Sequence, residues 1–390
     1  MVNGIIKKLG EDLVNNILVR FPVKSLIRLK CISKRWYTLI QSTTFIHLHL
    51  NYQTTIQHEF ILFKHSIKEE PNEFISILSF LSGDDDDGFN PLFPDINVTS
   101  MSSNFHATFY PLLGPCHGLI VLTDLTTIVI FNPATRNFRL VPPSPFGCPQ
   151  GFHRSVEGIG FGFDSISKYY KIVRICEVFW NPWDGYPGPK ETKIDVYDFS
   201  MDCWREVEHV NLPFIYWVPC AEMLYNEVVH WFATIDMSMI ILCFDMCTEI
   251  FRNINIPDVC NNLTHKQYYG LVILRGCLTL ISYPNPISPT DLINDKVHVW
   301  VMEEYGVSKS WILKNTIRVV PVESPLDVWK NSILLFQSKK GHLISYDINS
   351  NEEKEHILHG SPGSLSVIVY EEGLTSIPPG SQNSSKAHNF

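Results

Sequence analysis

A chain of 390 residues with 45% hydrophobic and 12% aromatic content has room for about two or three domains and enough apolar side chain for a large core. Its formal charge of −9 is divided unevenly: residues 1–50 carry eight Lys/Arg against two Asp/Glu, and the remainder carries 23 against 38. An acidic body repels nucleic acid and steers basic partners. The start MVNGIIKKLGEDLV lacks the basic, apolar and small-residue order of a secretory signal, and the most apolar window, Val228 to Cys243, is too short and too interrupted to span a membrane, so a cytoplasmic setting is expected.

The first structured stretch runs from Leu9 to Ile40, LGEDLVNNILVRFPVKSLIRLKCISKRWYTLI. Leu13, Val14, Ile17, Leu18 and Phe21 share one helical face, and Pro22 stops that helix. Lys24 to Lys30 resumes with Leu26 and Leu29 inward, and Ser33 caps a short third helix carrying Trp36, Leu39 and Ile40. Three helices in about 35 residues hold more apolar surface than they bury among themselves, which predicts a docking face.

This stretch resembles the F-box family through Leu9, Asp12, Leu13, Ile17, Leu18, the run Phe21-Pro22-Val23-Lys24-Ser25-Leu26, the run Leu29-Lys30-Cys31-Ile32-Ser33-Lys34, and Trp36. The resemblance implies binding to the Skp-type adaptor of a cullin-RING ubiquitin ligase, and through it to the cullin and RING subunits. The residues it implicates are Leu9, Leu13, Ile17, Leu18, Pro22, Val23, Leu26, Leu29, Ile32 and Trp36. Gly10 stands where the family usually has proline, giving the start of the first helix more backbone freedom.

From Ile46 to about Asn104 the pattern is mixed, with strand-like runs at His58 to Phe63 and Phe74 to Leu78. Gly83-Asp84-Asp85-Asp86-Asp87-Gly88 cannot bury four adjacent carboxylates and reads as a solvated acidic turn; it lacks the alternating ligands and distal glutamate of a calcium loop.

Beyond residue 105 short strands and turns take over. Phe131-Asn132 to Phe138, Phe163-Asp164 to Tyr170, Tyr197-Asp198 to Trp204 and Phe244-Asp245 to Phe251 share one layout, with a second aromatic seven residues after the first. Such spacing predicts a strand ending on a buried aromatic, an Asx side chain bonding the turn, and a returning strand whose aromatic lies on the same face. Tyr346-Asp347 keeps only the first half. Many short strands with imperfect repeats favour a propeller of about six blades, with Ser366 to Tyr370 closing the ring against an early strand.

Gly118-Leu119-Ile120, Asn132-Pro133-Ala134-Thr135-Arg136 and Gly160-Phe161-Gly162-Phe163-Asp164 make this half similar to the F-box-associated, kelch-like region of plant F-box proteins, although no Gly-Gly pair of true kelch repeats occurs. Within that group, the run Phe21 to Leu26, Cys116-His117-Gly118-Leu119 and the late Pro-rich tail are similar to the S-locus F-box family of pollen. That likeness implies recognition of basic non-self S-ribonucleases for ubiquitination.

No HExxH, GxSxG, Walker loop or CxxC is present, and Gly158-Ile159-Gly160-Phe161-Gly162 leads into a hairpin and not a helix, so no catalytic centre, metal or cofactor is expected. Isolated histidines such as His106, His117, His153 and His230, and the ten scattered cysteines, read as structural, the cysteines as small buried hydrophobes. Trp180, Trp183 and Tyr186 lie at a Pro/Gly-rich loop where aromatics cannot all reach a core, which makes them, with the carboxylates of Asp84, Asp85, Asp86 and Asp87, the client-binding candidates. Local packing over the propeller rim is the plainer alternative for the aromatics, and solubility for the acidity. The expected architecture is a multidomain chain: an all-α F-box of three helices over 1–45, a connecting region over 46–105, an all-β kelch-like β-propeller over 106–372 and a flexible tail over 373–390.

Overall fold

The computed structural model describes residues 11–380 except 57–58, 70–72, 85–87, 92–93, 102–111, 125, 181–190, 208–211, 213–221, 236–237, 261–266, 285–295, 319–321 and 357–365. Four helices open it: α1 (Glu11–Leu18), α2 (Val23–Lys30), α3 (Lys34–Ile40) and α4 (Thr43–Ile56). Ser33 caps α3 by accepting from the Trp36 amide at 3.3 Å. The three-helix expectation omits α4. Its sequence TTFIHLHLNYQTTI alternates apolar and polar residues like a strand, yet Ser42 Oγ accepts from Phe45 N at 3.2 Å and starts a helix there.

The chain then forms a ring of antiparallel sheets. It begins with β1 (Phe60–Glu69), β2 (Glu73–Asp84), β3 (Gly88–Pro91) and β4 (Ile96–Asn97). The first four-stranded blade holds β5 (Leu113–Cys116), β6 (Leu119–Thr123), β7 (Ile128–Asn132) and β8 (Asn137–Leu140). The second holds β9 (Phe152–Asp164), β10 (Tyr169–Trp180), β11 (Glu191–Asp198) and β12 (Cys203–Val207). The third holds β13 (Met223–Tyr225), β14 (Val228–Ile235), β15 (Ser238–Asp245) and β16 (Phe251–Asn255). The fourth holds β17 (Gln267–Leu274), β18 (Cys277–Pro284), β19 (Lys296–Met302) and β20 (Trp311–Arg318), and the fifth β21 (Val322–Trp329), β22 (Ile333–Ser338), β23 (Leu343–Asp347) and β24 (Glu352–His356). Finally β25 (Ser366–Tyr370) pairs with β1, so a five-stranded sheet built from both ends of the chain closes the ring.

The expected count of about six blades therefore resolves, among the described residues, into five regular blades and this closing sheet. Residues 60–97, expected to connect the two modules, supply four strands of the closing sheet. Apolar clusters lie between each neighbouring pair of sheets: Phe60 and Tyr370 share one with Phe131, Leu119 with Phe161, Trp231 with Val196, Phe232 with Leu280, Val299 with Phe336, and Phe63 with Leu335. Face-to-face burial all round the ring is the main stabilising term.

The repeated hairpin layout has a defined geometry. Phe131 pairs with Phe138, Phe163 with Tyr170, Tyr197 with Trp204 and Phe244 with Phe251, each directly across its hairpin. The Asx oxygen of Asn132, Asp164, Asp198, Asp245 or Asp347 accepts turn amides at 2.7–3.1 Å. Four residues after each Asx, at Arg136, Lys168, Asp202, Glu249 and Asn351, φ is positive. In the last hairpin Tyr346 faces Glu353 in place of an aromatic.

Glycine sets how closely the second and third blades approach. A Cβ on Gly160 would lie 2.6 Å from Val229 Cγ1 and 3.0 Å from the Trp231 ring. Gly160→Ala is expected to destabilise the ring by about 1–3 kcal/mol through overpacking, read as a lowered thermal midpoint; an unchanged midpoint would show that this contact yields freely. The cysteines divide: Cys116, Cys176, Cys243 and Cys260 are buried, whereas Cys31, Cys148 and Cys203 are exposed, which corrects the expectation of uniform burial.

Candidate functional site

The helical module has its own filled core. Val14 and Leu18 of α1, Val23 and Leu26 of α2, Trp36 and Ile40 of α3, and Phe45 of α4 are buried together, with Leu29 at their edge. The other face of α1 points outward: Leu13 is 49% and Ile17 46% exposed, with Phe21 at 39% and Ile32 at 58%. One apolar stripe therefore splits into two faces. Residues four apart stack on a helix, so Val14 and Leu18 turn in while Leu13 and Ile17 turn out.

Leu13, Asn16, Ile17, Arg20, Phe21 and Pro22 line an open groove of about 620 Å³ at the end of α1. His49 Nε2 lies 3.2 Å from the Phe21 carbonyl, tying α4 beneath the Phe21-Pro22 corner. Burial holds the His49 imidazole below its usual range, with the Phe21 carbonyl partly offsetting this. The groove can take apolar side chains, with Arg20 at its rim.

Of the ten adaptor-binding candidates, Leu13, Ile17, Pro22 and Ile32 are exposed, Leu29 is half-buried, and Leu18, Val23, Leu26 and Trp36 are interior. Leu9 lies outside the described residues. Phe21, on the apolar face of the first helix and in the motif but not among those ten, joins the groove. Its signal was the hydrophobic residue immediately before the helix-stopping Pro22.

Strand direction separates the two groups of client-binding candidates. Each blade starts with its innermost strand, so the turns after the first and third strands lie at one end of the ring and the remaining connections at the other. The helices lead into β1, and β25 runs out into Glu371, at the end with the Asx turns. Asp84 ends β2 at that same end, while Trp180 ends β10 at the opposite one. Asp85, Asp86, Asp87, Trp183 and Tyr186 lie outside the described residues. Trp180 is 44% exposed at the tip of the long β9–β10 ribbon, its ring edge-on to Phe152 at 5.0 Å.

Comparison with known proteins fits this two-part architecture. The profile of the F-box associated beta propeller domain matches residues 61–363, and that of the F-box domain matches residues 6–48. The chain is an F-box protein of the F-box-associated propeller family. It is similar to F-box protein CPR1 of Arabidopsis thaliana, 27% identical with 87% of this chain and 80% of that protein covered. It is also similar to F-box protein At3g07870 of the same plant, at 24% identity over 96% and 93%, and to F-box/kelch-repeat protein At3g23880, at 23% over 94% of each. The helical module of this F-box protein carries the groove, and the propeller profile begins within β1 of the closing sheet.

Two histidines noted as isolated are structural in this F-box protein. His117 Nδ1 lies 3.2 Å from Tyr170 Oη, and its ring meets Phe163 edge-on. His230 is fully buried, with Nδ1 3.2 Å from the Met223 carbonyl and Nε2 2.8 Å from Tyr305 Oη. Burial lowers the His230 pKa from 6.5 to about 4. A depressed folded pKa means that the neutral ring's contribution is whole above pH 6.5 and is lost as pH falls toward 4. The parent chain should therefore lose more stability than His230→Gln across that window, measured by denaturant unfolding at stepped pH; parallel losses would remove His230 from the account.

Proposed function

We propose that this F-box protein is the non-catalytic substrate-recognition subunit of an SCF-type cullin-RING E3 ubiquitin ligase acting in the cytoplasm. The observation that carries the reading is the exposed groove of Leu13, Ile17, Phe21 and Pro22 on a module whose own core is already filled. An apolar face of this kind suits an adaptor helix laid into it. The ligase's conjugating enzyme supplies the chemistry, and the receptor contributes proximity, making a bimolecular transfer effectively intramolecular.

The client we propose is a basic protein, with the S-ribonucleases implied by the S-locus likeness as the specific class. The supporting observation is charge: outside residues 1–50 there are 38 Asp/Glu against 23 Lys/Arg. Carboxylates around Asp84 steer the encounter through the protein's overall field, and the far end of the ring, with Trp180, holds the client. Affinity purification of the full chain from pollen should recover an adaptor together with a secreted ribonuclease. Recovery of the adaptor with some other client would keep the ligase reading and discard the ribonuclease. The association rate with a purified basic ribonuclease should fall as salt rises toward physiological strength, and a rate indifferent to salt would remove the steering role.

A further inference from the structure

We infer that the segment Glu371–Pro379 is a positioning strap, which completes the adaptor-binding module and fixes it to one end of the propeller as a single body. Part of the tail expected to be flexible over 373–390 is held against the protein, with Gly373 and Leu374 buried and Pro378 hydrogen-bonded to Arg139. Leu374, 2% exposed, sits inside the helical core beside Val23, Leu26 and Trp36.

Helix α2 has Pro22 at its N-cap position and so no side-chain cap of its own, and Glu372 Oε2 accepts from the Val23 amide at 3.4 Å, so a carboxylate 349 residues away caps it. Burial raises the Glu372 pKa and this amide partly offsets the rise. The capped end adjoins Phe21 and Pro22, which line the groove. Glu372 is thus a positioning residue: it acts on the groove through α2.

The other side of the strap is anchored on the first blade. Asn132 Nδ2 donates to the Gly373 and Thr375 carbonyls at 3.0 and 2.8 Å, and Thr375 Oγ1 donates to the His117 carbonyl at 2.6 Å. Arg139 Nη1 donates to the Pro378 carbonyl at 2.8 Å, and Ile377 packs against the cluster between the first two blades. The approach is tight enough that a Cβ on Gly373 would lie 2.7 Å from the His117 carbonyl, and one on Gly118 2.6 Å from Gly373 Cα. The family-like runs Cys116 to Leu119 and Asn132 to Arg136 thus hold the strap, and Ala134 touches the module's core directly.

Two measurements on the full chain test this, the first with its purified adaptor and the second without it. In the first, Glu372→Ala should weaken adaptor binding about fivefold, the size of a lost helix cap, while Glu372→Gln, which keeps the accepting oxygen, should bind as the parent does. Equal binding by all three overturns the capping role. In the second, spin labels at exposed Ile32 and Met201, with the exposed cysteines replaced, should give one narrow distance distribution. That distribution should broaden in Asn132→Ala and in Gly373→Ala, neither of which removes a side chain from the helical core. A broad distribution in the parent, or an unbroadened one in both variants, overturns the single-body assignment. The distances need no client, so failure here is distinct from failure of the receptor reading, which shows as absent adaptor binding in the parent.

Discussion

Replacing Leu13 and Ile17 together by Asp is expected to abolish adaptor capture while leaving the thermal midpoint of the propeller unchanged. Both side chains are close to half exposed on α1, so charge there disturbs neither the helical core nor the ring. In the complex each would bury a carboxylate in the centre of an apolar interface. Two such central positions together are expected to cost at least about 4 kcal/mol, roughly a thousandfold in affinity. Trp36→Ala makes the contrast. Trp36 is 7% exposed within the core, so its loss should act by unfolding the module, at about 3–5 kcal/mol of stability. Adaptor binding by surface resonance and amide exchange in α1–α3 separate the two: binding lost with protection kept for the first variant, both lost for the second. Wild-type capture by the doubly charged variant would sink the docking assignment.

Asp195→Ala is expected to be among the most destabilising single changes in the propeller. The Asp195 carboxylate on β11 is fully buried and bridges two guanidinium groups, Arg154 at 2.5 Å and Arg174 at 2.6 Å. Ser144 Oγ adds a bond at 3.3 Å, and Arg174 stacks over Trp204 at 4.3 Å. Removing the acid strands Arg174 and leaves Arg154 with only the Glu206 carboxylate, at 3.5 Å, among the described residues, and breaking a buried pair from one side costs about 3–5 kcal/mol. Urea unfolding should report a loss of that size. A loss under about 1 kcal/mol would mean that water reaches the arginines and screens them. Asp195→Ala combined with Arg174→Met should recover part of the loss, since the second change removes one stranded charge.

Neither the arginine bridge nor the strap was legible in the sequence, and the reason is the same for both. Arg154, Arg174 and Asp195 are 20 to 41 residues apart, and Glu372 and Val23 are 349 apart. Such pairs depend on how strands and ends meet in space, which no local periodicity encodes. The hairpins were legible because their signal is local: Asp164 bonds amides two and three residues on, and Phe163 meets Tyr170 across one turn. The module was legible as helices, but its faces were not. In α1 the four residues Leu13, Val14, Ile17 and Leu18 are all apolar, and only the structure shows that Val14 and Leu18 turn inward. Helix α4 was hidden by its Thr and alternating His residues, whose preferences resemble those of a strand until Phe45 and His49 find the core.

The closing sheet ties assembly to synthesis. Because β25 pairs with β1 as the innermost strand of the closing sheet, and Leu374 follows it into the helical core, segments far apart in the chain must be present together before either module is whole. On the ribosome the five regular blades can form in order, but the ring stays open, with the inner edge of β1 unpaired, until β25 emerges. A product shortened before β25 would lack the ring's last strand, the core leucine and the cap on α2 at once. A chain cut before β25 is therefore expected to compromise the helical module and the propeller together.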